Sequence, residues 1–483
     1  MARIYDAADK QELERFLILI AEAALQSNLS LFLGAGSSMQ YNAMNWNELI
    51  DKVYSGGEDW GNVERAQYAE LSGCDVKQEV AKIIASVKID SNREDTFLSY
   101  LLRFDFKSLW TTNYDCVIEQ VLEHKKKAYI PIYQYSHFQQ LSYPGGQFLY
   151  KINGSFNAPE TIVITKDDFI DYKRSHEAYL ILLKRELLCH SFLFLGCSFT
   201  DDILRICIKD ILNCVDNSEE NYATQHYAVI AERNPDKLDY ISKDLITHYN
   251  INCLQVNHLG NAYLIAYGIA SKVKFSSIFV SGAKSFIRRS RAEADGKAVC
   301  QNMVKAFMAE ETFPFKFISG MGMSIGHFIS GTIKQMCRGK NLNRYLLMEP
   351  FPFTSQEANE DHRRNMIGKA GIFIFIYGDY DGDVAKIEGS GMWKEYLYAQ
   401  KDPDNIIIPL PCGKDSVSRL IYEKEALLEG SFVSQNIALF ESFDDRSDSI
   451  VFFEELVGKV MLSTRKKLDG IVEEIAYALS GER

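Results

Sequence analysis

The stretch Ser30-Leu31-Phe32-Leu33-Gly34-Ala35-Gly36-Ser37-Ser38 decides the fold that this sequence predicts. Its apolar start has the length of a buried strand, and its glycines lead into a helix predicted around Trp46 to Val53. Glycine lets a backbone turn tightly and approach a pyrophosphate, whose charge is favoured at the amino end of a helix. Taken alone, the loop fits a plain strand-to-helix turn equally well, because the third glycine of the dinucleotide fingerprint is missing.

Strand-like runs alternate with helical stretches in both halves of the chain. After a helix predicted over residues 8–27, the first half has apolar runs at Ser30 to Leu33, Ser108 to Thr111, Gln147 to Ile152, Ser191 to Leu195 and His226 to Ile230. The second series is Phe275 to Val280, Phe315 to Ile318, Tyr345 to Met348, Ile372 to Tyr377 and Ile406 to Leu410. The alternation predicts an α/β protein with two doubly wound parallel-sheet (Rossmann-like) domains, residues 1–270 and 271–483.

Composition excludes several classes of protein. A chain of 483 residues is too long for one core, and its net charge of -12 does not favour a nucleic-acid partner. Ten cysteines are scattered singly without a CxxC pair, which indicates reduced thiols and no metal site. No apolar run reaches the roughly 18 residues that span a bilayer. We therefore expect a cytoplasmic protein that does not bind membranes.

A second polar motif, Thr111-Thr112-Asn113-Tyr114-Asp115, follows another predicted strand. At the end of a strand, the Asn113 side chain can face the ligand crevice, where it offers both a donor and an acceptor to ribose hydroxyls and water. The alternative is an Asx turn, in which Asn113 caps a helix that begins near Tyr114 or Asp115.

These two motifs, with Tyr150-Lys151-Ile152-Asn153-Gly154-Ser155 and Phe194-Leu195-Gly196-Cys197-Ser198-Phe199-Thr200-Asp201, resemble the four motifs of sirtuin-like NAD-binding domains. The resemblance implies that NAD is a substrate and that Asn113 contacts the nicotinamide ribose and is needed for cleavage. The cofactor-binding residues that it implies are Gly34, Ala35, Gly36, Ser37, Thr112, Asp115, Gly196, Ser198 and Asp201.

One motif departs from this family at a catalytic position. Where sirtuin-like proteins place a histidine, this chain has Asn153, which can hydrogen-bond but cannot accept a proton near neutral pH. Three interpretations stay open: an engineered inactivating replacement, a natural variant that still hydrolyses NAD through Asn113 and positioning, or a domain that binds NAD without chemistry. Our hypothesis is a parent NADase that is impaired here by Asn153.

Protein deacetylases of the sirtuin family carry a zinc ribbon, which needs two CxxC pairs. This chain has none. Without that ribbon, water is the expected acceptor of the ADP-ribosyl group. The expected reaction is therefore hydrolysis of NAD to ADP-ribose and nicotinamide.

The second half resembles SLOG domains. The matching pieces are Val280-Ser281-Gly282, Ser319-Gly320-Met321-Gly322, His362-Arg363-Arg364-Asn365-Met366 and Gly389-Ser390-Gly391 running to Glu395. Arginines can clamp a pyrophosphate, and a glutamate can accept from ribose hydroxyls; the alternative for the arginine pair is a solvated helix face. The signal-binding residues that the resemblance implies are Ser281, Gly282, Gly320, Gly322, Arg363, Arg364 and Glu395.

A sirtuin-like domain followed by a SLOG domain resembles the effectors of the bacterial Thoeris antiphage system. That resemblance implies activation by a cyclic ADP-ribose isomer from a TIR-domain partner protein, and assembly into tetramers and filaments. Two other functions stay open. One is a catalytically silent NAD- or nucleotide-binding scaffold, and the other is a nucleotide phosphoribohydrolase acting through the SLOG half.

Overall fold

The computed structural model describes the whole chain except residues 1, 58, 91, 143–146, 198, 200–204, 206, 211–223, 258–261, 283–289, 312, 314, 321–324, 339, 353, 379–386, 388–389, 414–415, 445–448 and 481–483. Its contacts form two compact units, residues 1–269 with 472–483, and residues 270–471. The sequence-based division placed the last residues in the second domain. They pack in the first because the buried side chain of Ile475 lies beside Leu17 and Gly268.

The first unit contains an eight-stranded sheet in which every pair of neighbours is parallel. Its strands are β1 (Ile4–Asp6), β2 (Leu29–Leu33), β3 (Leu109–Thr111), β4 (Tyr129–Ile132), β5 (Gln147–Lys151), β6 (Ser191–Leu195), β7 (His226–Ala231) and β8 (Ile251–Val256). Their order is β1-β8-β7-β6-β2-β3-β5-β4. Connections therefore run outward in opposite directions from β2, and a doubly wound sheet binds ligands at such a reversal.

Helices flank this sheet. The described α-helices are Lys10–Leu25, Ala35–Met39, Trp46–Val53, Asn62–Leu71, Val76–Ser86, Phe97–Leu101, Val117–His124, Lys166–Ser175, Glu177–Cys189, Pro235–Tyr249 and Ala262–Phe275, with 3-10 turns at Tyr135–Ser142 and Pro159–Thr161. The first begins where the Asp9 side chain accepts from the amides of Gln11 and Glu12. Its apolar face, spaced at three and four residues, is buried.

Central strands are apolar on both faces because helices cover both. All five residues of β2 and of β6 are buried. Trp110 of β3 stacks on Tyr150 of β5 at 4.1 Å between ring centroids, which fixes the two strands side by side.

The second unit has a five-stranded sheet, also wholly parallel, in the order β11-β10-β9-β12-β13. Its strands are β9 (Ser277–Gly282), β10 (Lys316–Ser319), β11 (Leu346–Met348), β12 (Ile372–Ile376) and β13 (Ile406–Leu410). The described helices are Ser290–Ala309, Ile325–Met336, Gln356–Gly368, Gly391–Ala399, Val417–Leu427, Phe432–Gln435, Ile437–Glu441 and Ile450–Leu479, with a 3-10 turn at Leu342–Arg344. The last of these helices continues past residue 471 into the first unit.

The strand order of the second sheet reverses between β9 and β12, at the ends of which lie Gly282 and Ile376. The two parallel sheets confirm the predicted fold class. No helix in the described part of the chain is both long and apolar enough to cross a membrane.

Candidate functional site

Strand register brings the predicted motifs of the first unit to one edge of its sheet. Leu33, the last residue of β2, is paired with Thr111 of β3 and with Leu195 of β6. Thr111 is in turn paired with Lys151 of β5. The residues that come next therefore share the carboxyl edge, where parallel sheets bind ligands. They are Gly34, Thr112, Ile152 and Gly196.

The two glycine loops pack backbone against backbone. The amide of Gly34 donates to Leu195 O at 2.9 Å, and that of Gly36 donates to Gly196 O at 3.1 Å. Gly196 has a φ of +67°, and a Cβ there would lie 2.4 Å from the Ser37 nitrogen. A Cβ on Gly34 would lie 2.4 Å from Gly196 O. Glycine is thus required at both positions by the neighbouring loop, independently of any ligand.

The predicted phosphate loop is largely occupied by its own hydrogen bonds. Besides the amides of Gly34 and Gly36, the Ser37 amide and hydroxyl both donate to Gly34 O, at 3.0 and 2.7 Å. Ala35 is half-buried, and Gly36 and Ser37 are buried. Contact with NAD phosphates through these residues stays a prediction, and three of the four amides already have partners.

Asn113 is buried beside this loop. Its Nδ2 donates to Gly34 O at 3.1 Å and to Ser38 Oγ at 2.9 Å. Its backbone amide donates to Thr111 Oγ1, which itself donates to Leu33 O at 2.7 Å. Since both Nδ2 hydrogens are used, the side-chain oxygen is the group that Asn113 can offer to a substrate.

The alternative that Asn113 caps a helix beginning near Tyr114 is wrong. The helix begins at Val117, and Asp115 Oδ1 accepts from the Val117 amide at 3.0 Å. The first helical amide is therefore satisfied by the side chain of Asp115, which lies two residues before it.

Asp115 also connects the motif to its surroundings. Ser38 Oγ donates to Asp115 Oδ1 at 3.1 Å, so the hydroxyl that accepts from Asn113 is itself oriented. Asp115 O accepts from Lys151 Nζ, and the same ammonium lies 2.7 Å from Glu119 Oε1. The Lys151 side chain has no exposed surface. Thr112 is half-buried.

Sequence reasoning missed Ser38, Glu119 and the structural role of Lys151. Ser38 and Lys151 stand within the quoted motifs, so their proximity to the predicted site residues was available as a signal. No local pattern pointed to Glu119, because only the tertiary structure brings the helix Val117–His124 close enough to β5 for Glu119 to pair with Lys151.

Asn153 lies past the end of β5 with its backbone held firmly. Asn153 O accepts from the Val163 amide at 3.0 Å, and Tyr172 OH donates to Ile152 O at 2.9 Å. Gly154 has a φ of +89°, and a Cβ there would lie 2.2 Å from Thr161 O. The chain therefore folds back immediately after Asn153.

The side chain of Asn153 is 6% exposed, and its Oδ1 has no hydrogen-bond partner among the described residues. A buried carbonyl oxygen without a partner costs free energy, on the order of 1–3 kcal/mol. Such a group at a ligand edge calls for a donor from a ligand or from water. The structure thus puts an unsatisfied acceptor where the sirtuin-like family has its histidine.

Two titratable groups in the segments around Asn113 and Asn153 have shifted pKa values. Burial, followed by the Glu119 carboxylate, raises the pKa of the Cys116 thiol. Burial lowers the pKa of His176, which stacks on Tyr172 at 4.2 Å. The hydroxyl of the same Tyr172 donates to the carbonyl of Ile152, the residue before Asn153. Ser198 and Asp201 lie outside the described residues, and within those no group of His, Cys, Asp or Glu is placed to hold a metal ion.

A second polar cluster lies in the second unit. Ser281 Oγ donates to Glu395 Oε2 at 2.5 Å, and Arg363 Nε donates to Glu395 Oε1 at 3.2 Å. Arg363 Nη1 also donates to Glu360 Oε2 at 2.7 Å. Burial raises the pKa of Glu395, and the hydrogen bond from Ser281 and the charge of Arg363 oppose that rise.

Glycines and an aromatic ring surround this cluster. A Cβ on Gly320 would lie 2.8 Å from the Phe351 ring, whose face is 5.0 Å from the Arg363 guanidinium. A Cβ on Gly282 would collide with Ile325. The structure therefore gathers Ser281, Gly320, Arg363 and Glu395 through direct or shared contacts.

Arg364 takes a different direction from its neighbour. Its side chain is 59% exposed and lies 3.9 Å from Asp361, with its guanidinium 5.3 Å from the Tyr398 ring centre. Gly322 lies outside the described residues.

Two known domain families match successive stretches of the chain. The SIR2-like domain family matches residues 107–254, and the Sir2- and TIR-associating SLOG family matches residues 264–464. The glycine loop precedes the residues that match the SIR2-like family. In the sheet, however, β2 lies between β3 and β6, so the glycine loop at its end belongs to the same sheet as the matched strands.

Relatives match most of the chain. Proteins named NAD(+) hydrolase ThsA from Bacillus cereus (strain MSX-D12) and Enterococcus faecium are each 25% identical, over 93% and 95% of this chain and 97% of their own lengths. A protein of the same name from Acinetobacter baumannii (strain 532279) is 25% identical over 73% of this chain and 77% of its own. The chain therefore joins a SIR2-like domain to a domain of the Sir2- and TIR-associating SLOG family, and it is similar over nearly its whole length to NAD(+) hydrolases named ThsA.

Proposed function

We propose that this chain is an NAD+ hydrolase of bacterial antiphage defence, which cleaves NAD+ to nicotinamide and ADP-ribose, and that a nucleotide signal bound to the second unit activates it. The observation that carries the proposal is the unsatisfied, buried Oδ1 of Asn153 at the same sheet edge as Asn113. The name shared by the relatives supports the reaction.

Asn113 is oriented for such a reaction. Because Gly34 O and Ser38 Oγ take both Nδ2 hydrogens, the side-chain oxygen is left to accept from a ribose hydroxyl or from the attacking water. The Nδ2 bonds also hold the side chain before substrate arrives, which lowers the cost of positioning in the transition state.

Formal charges around Asn113 also suit the reaction. Asp115 and Glu119 together carry two negative charges, and Lys151 supplies one positive charge among them. Nicotinamide leaves through an oxocarbenium-like transition state, so a net negative charge near the ribose is stabilising.

Asn153 limits the proposed chemistry. Hydrolysis adds water across the glycosidic bond and releases one proton, and Asn153 cannot accept that proton. It can hold a ribose hydroxyl or the water by hydrogen bonding. We therefore propose that the chain cleaves NAD+ slowly and that a histidine at residue 153 accelerates cleavage. An engineered replacement and a natural variant both fit this proposal.

The second unit is the proposed control site. Arg363 is held between Glu395 and Glu360, so an anionic ligand would have to draw the guanidinium away from at least one carboxylate. We propose a cyclic ADP-ribose isomer, made by a TIR-domain partner protein, as that ligand. Tetramers or filaments of the chain would make the response cooperative, since a change from about 1:99 to 99:1 needs roughly 5.5 kcal/mol of differential affinity.

Nicotinamide release tests the catalytic proposal. It is measured for the unmodified chain, Asn153→His and Asn113→Ala, each with and without cyclic ADP-ribose isomers of different linkage. We expect signal-dependent release by Asn153→His, slower release by the unmodified chain and none by Asn113→Ala. Absence of release from both the unmodified chain and Asn153→His under every condition rules the hydrolase out.

The control site is tested in the Asn153→His background. Arg363→Ala should abolish the response to the signal, because it removes the guanidinium between the two carboxylates. Arg364→Ala is the matched control, since the same residue type at the next position is mostly exposed. An equal loss in both variants would show that Arg364 also reaches the ligand, contrary to its position here.

A catalytically silent NAD-binding scaffold is the second candidate, and the non-titrating Asn153 is the observation that favours it. Calorimetric titration with NAD+ separates the two: binding without nicotinamide release in the Asn153→His form supports a scaffold. Release of free base from a nucleoside monophosphate would instead assign hydrolysis to the SLOG unit.

A further inference from the structure

Tyr114 stands between the two site residues Asn113 and Asp115, and its side chain is buried in an apolar cluster of the first unit. It is 8% exposed and packs in a cluster formed by the helical segment after the glycine loop. The ring of Trp46 lies 6.1 Å away. The other buried members of this cluster are Leu49, Ile50, Ala66, Ala69, Val76, Val80, Ala81, Ile162 and Ile164.

Two hydrogen bonds connect Tyr114 to the segment that follows Asn153. The Tyr114 hydroxyl donates to Val163 O at 2.7 Å, and the Phe156 amide donates to Tyr114 O at 3.0 Å. Phe156 is three residues after Asn153, and Val163 is ten residues after it. Tyr114 therefore holds both ends of the fold-back that Gly154 begins.

The backbone of Val163 completes the connection. Its amide donates to Asn153 O at 3.0 Å, while its carbonyl accepts from Tyr114. The path from Asn113 to Asn153 thus runs through one peptide link, the Tyr114 side chain, one hydrogen bond, the Val163 backbone and a second hydrogen bond. The Tyr114 side chain has only two torsions, and it is held in a buried apolar cluster.

We infer that Tyr114 is a positioning residue that sets the place of Asn153 relative to Asn113. This inference rests on the proposed NAD+ cleavage, in which the two asparagines act on the same ribose. Tyr114 touches no reacting atom, since its hydroxyl is bound to the Val163 carbonyl. It acts by keeping the Asn153 backbone in register with the Thr111–Asp115 motif.

The alternative is that Tyr114 contributes only to core packing, through its ring. Tyr114→Phe separates the two roles, because it keeps the ring among its apolar neighbours and removes only the hydroxyl. Tyr227→Phe is the matched control: Tyr227 is also buried in the first unit, and its hydroxyl bonds to Gln225, within its own segment.

The first test measures the kinetics of nicotinamide release. It is carried out in the unmodified chain or, if that is inactive, in Asn153→His. Tyr114→Phe should lower kcat by about 10- to 100-fold, the effect of a small misplacement of reacting groups, with KM within about twofold. Tyr227→Phe should leave both constants unchanged. With alanine at residue 153 in place of the asparagine or histidine, Tyr114→Phe should have no further effect, because the side chain that Tyr114 positions is then absent. An undiminished effect in the double variant, or unchanged kcat in the single one, overturns the inference.

Amide hydrogen exchange gives a second test that does not require activity. Tyr114→Phe should speed exchange in the peptide covering residues 153–163, where Asn153 O holds the Val163 amide, and Tyr227→Phe should not. Unchanged exchange rejects the positioning role. Faster exchange in a protein that never releases nicotinamide, even as Asn153→His, retains the structural connection and rejects the proposed function instead.

Discussion

Gly34 and Gly196 lie so close that a Cβ on Gly34 would be 2.4 Å from the Gly196 carbonyl oxygen. The two loops follow neighbouring strands, and the amides of Gly34 and Gly36 donate to the carbonyls of Leu195 and Gly196. This approach places the loop after β2 against the loop after β6.

Substitution of Gly196 should be costly. Gly196→Ala combines a φ of +67° with a contact of 2.4 Å to the Ser37 nitrogen, so we expect a loss of more than about 2 kcal/mol in unfolding free energy. Gly73→Ala is the control, because Gly73 has a φ of +91° but open space around its Cβ position. Urea denaturation of both variants measures the difference. Equal losses would mean that backbone strain alone matters.

The buried pair of Lys151 and Glu119 should respond unequally to single and double substitution. Lys151→Met leaves Glu119 buried without its counter-charge and should cost about 3–5 kcal/mol in unfolding free energy. Lys151→Met with Glu119→Met should recover much of that loss. The exposed pair Lys243 and Asp239 is the control, since Lys243→Met should change stability by less than about 0.5 kcal/mol. Additive losses in the double variant would contradict the pairing.

Asn153 should contribute to ligand binding rather than to stability. Because its Oδ1 is unsatisfied, Asn153→Leu should leave the ligand-free Tm unchanged or higher and abolish the rise in Tm caused by NAD+. Asn252→Leu is the contrast: Asn252 is buried but bonds to Arg3 and His226, so its removal should cost about 1–3 kcal/mol. A large drop in the ligand-free Tm of Asn153→Leu would show a structural role.

His226 should make the first unit sensitive to acid. Burial lowers its pKa to about 4 from an ordinary 6.5, and its Nδ1 accepts from the Phe192 amide. The unfolded chain therefore binds more protons between these values. Stability is fully present above about pH 6.5 and falls, by about 2–4 kcal/mol, as the pH drops towards 4.

The pH dependence is measured as the urea midpoint at each pH. His226→Gln keeps an acceptor and should flatten the dependence, whereas the exposed His248→Gln should not. An unchanged slope in His226→Gln would assign the acid sensitivity to other groups.

Local sequence patterns predicted most of the strands but missed β1, β4 and β8. The strands β2 and β6 were predicted as residues 30–33 and 191–195, because they are uninterrupted apolar runs. The strands β1 and β4 were not predicted: β1 has three residues and β4 contains Pro131, and both lie at the sheet edges. The strand β8 was missed because Asn252 and Gln255 interrupt its apolar pattern.

The site shows the same limit. Asn113 and Asn153 were singled out from their motifs, but the sequence left open whether Asn113 capped a helix. The answer depended on Asp115, which accepts from the first helical amide, and on Ser38, which is 75 residues away from Asn113. Likewise, Arg363 and Arg364 are equivalent by local sequence, and only the contacts with Glu395 and Glu360 distinguish them.

By itself, the sequence determined the alternation of strands and helices, the two parallel sheets and the residue types at the strand ends. These follow from local periodicity, because each strand or helix must bury an apolar face of its own. Only the tertiary structure decided that Gly34 meets Gly196, that Lys151 pairs with Glu119 and that Tyr114 connects Asn113 to Asn153. Those relationships arise from the order and register of strands far apart in the chain, which no local pattern specifies.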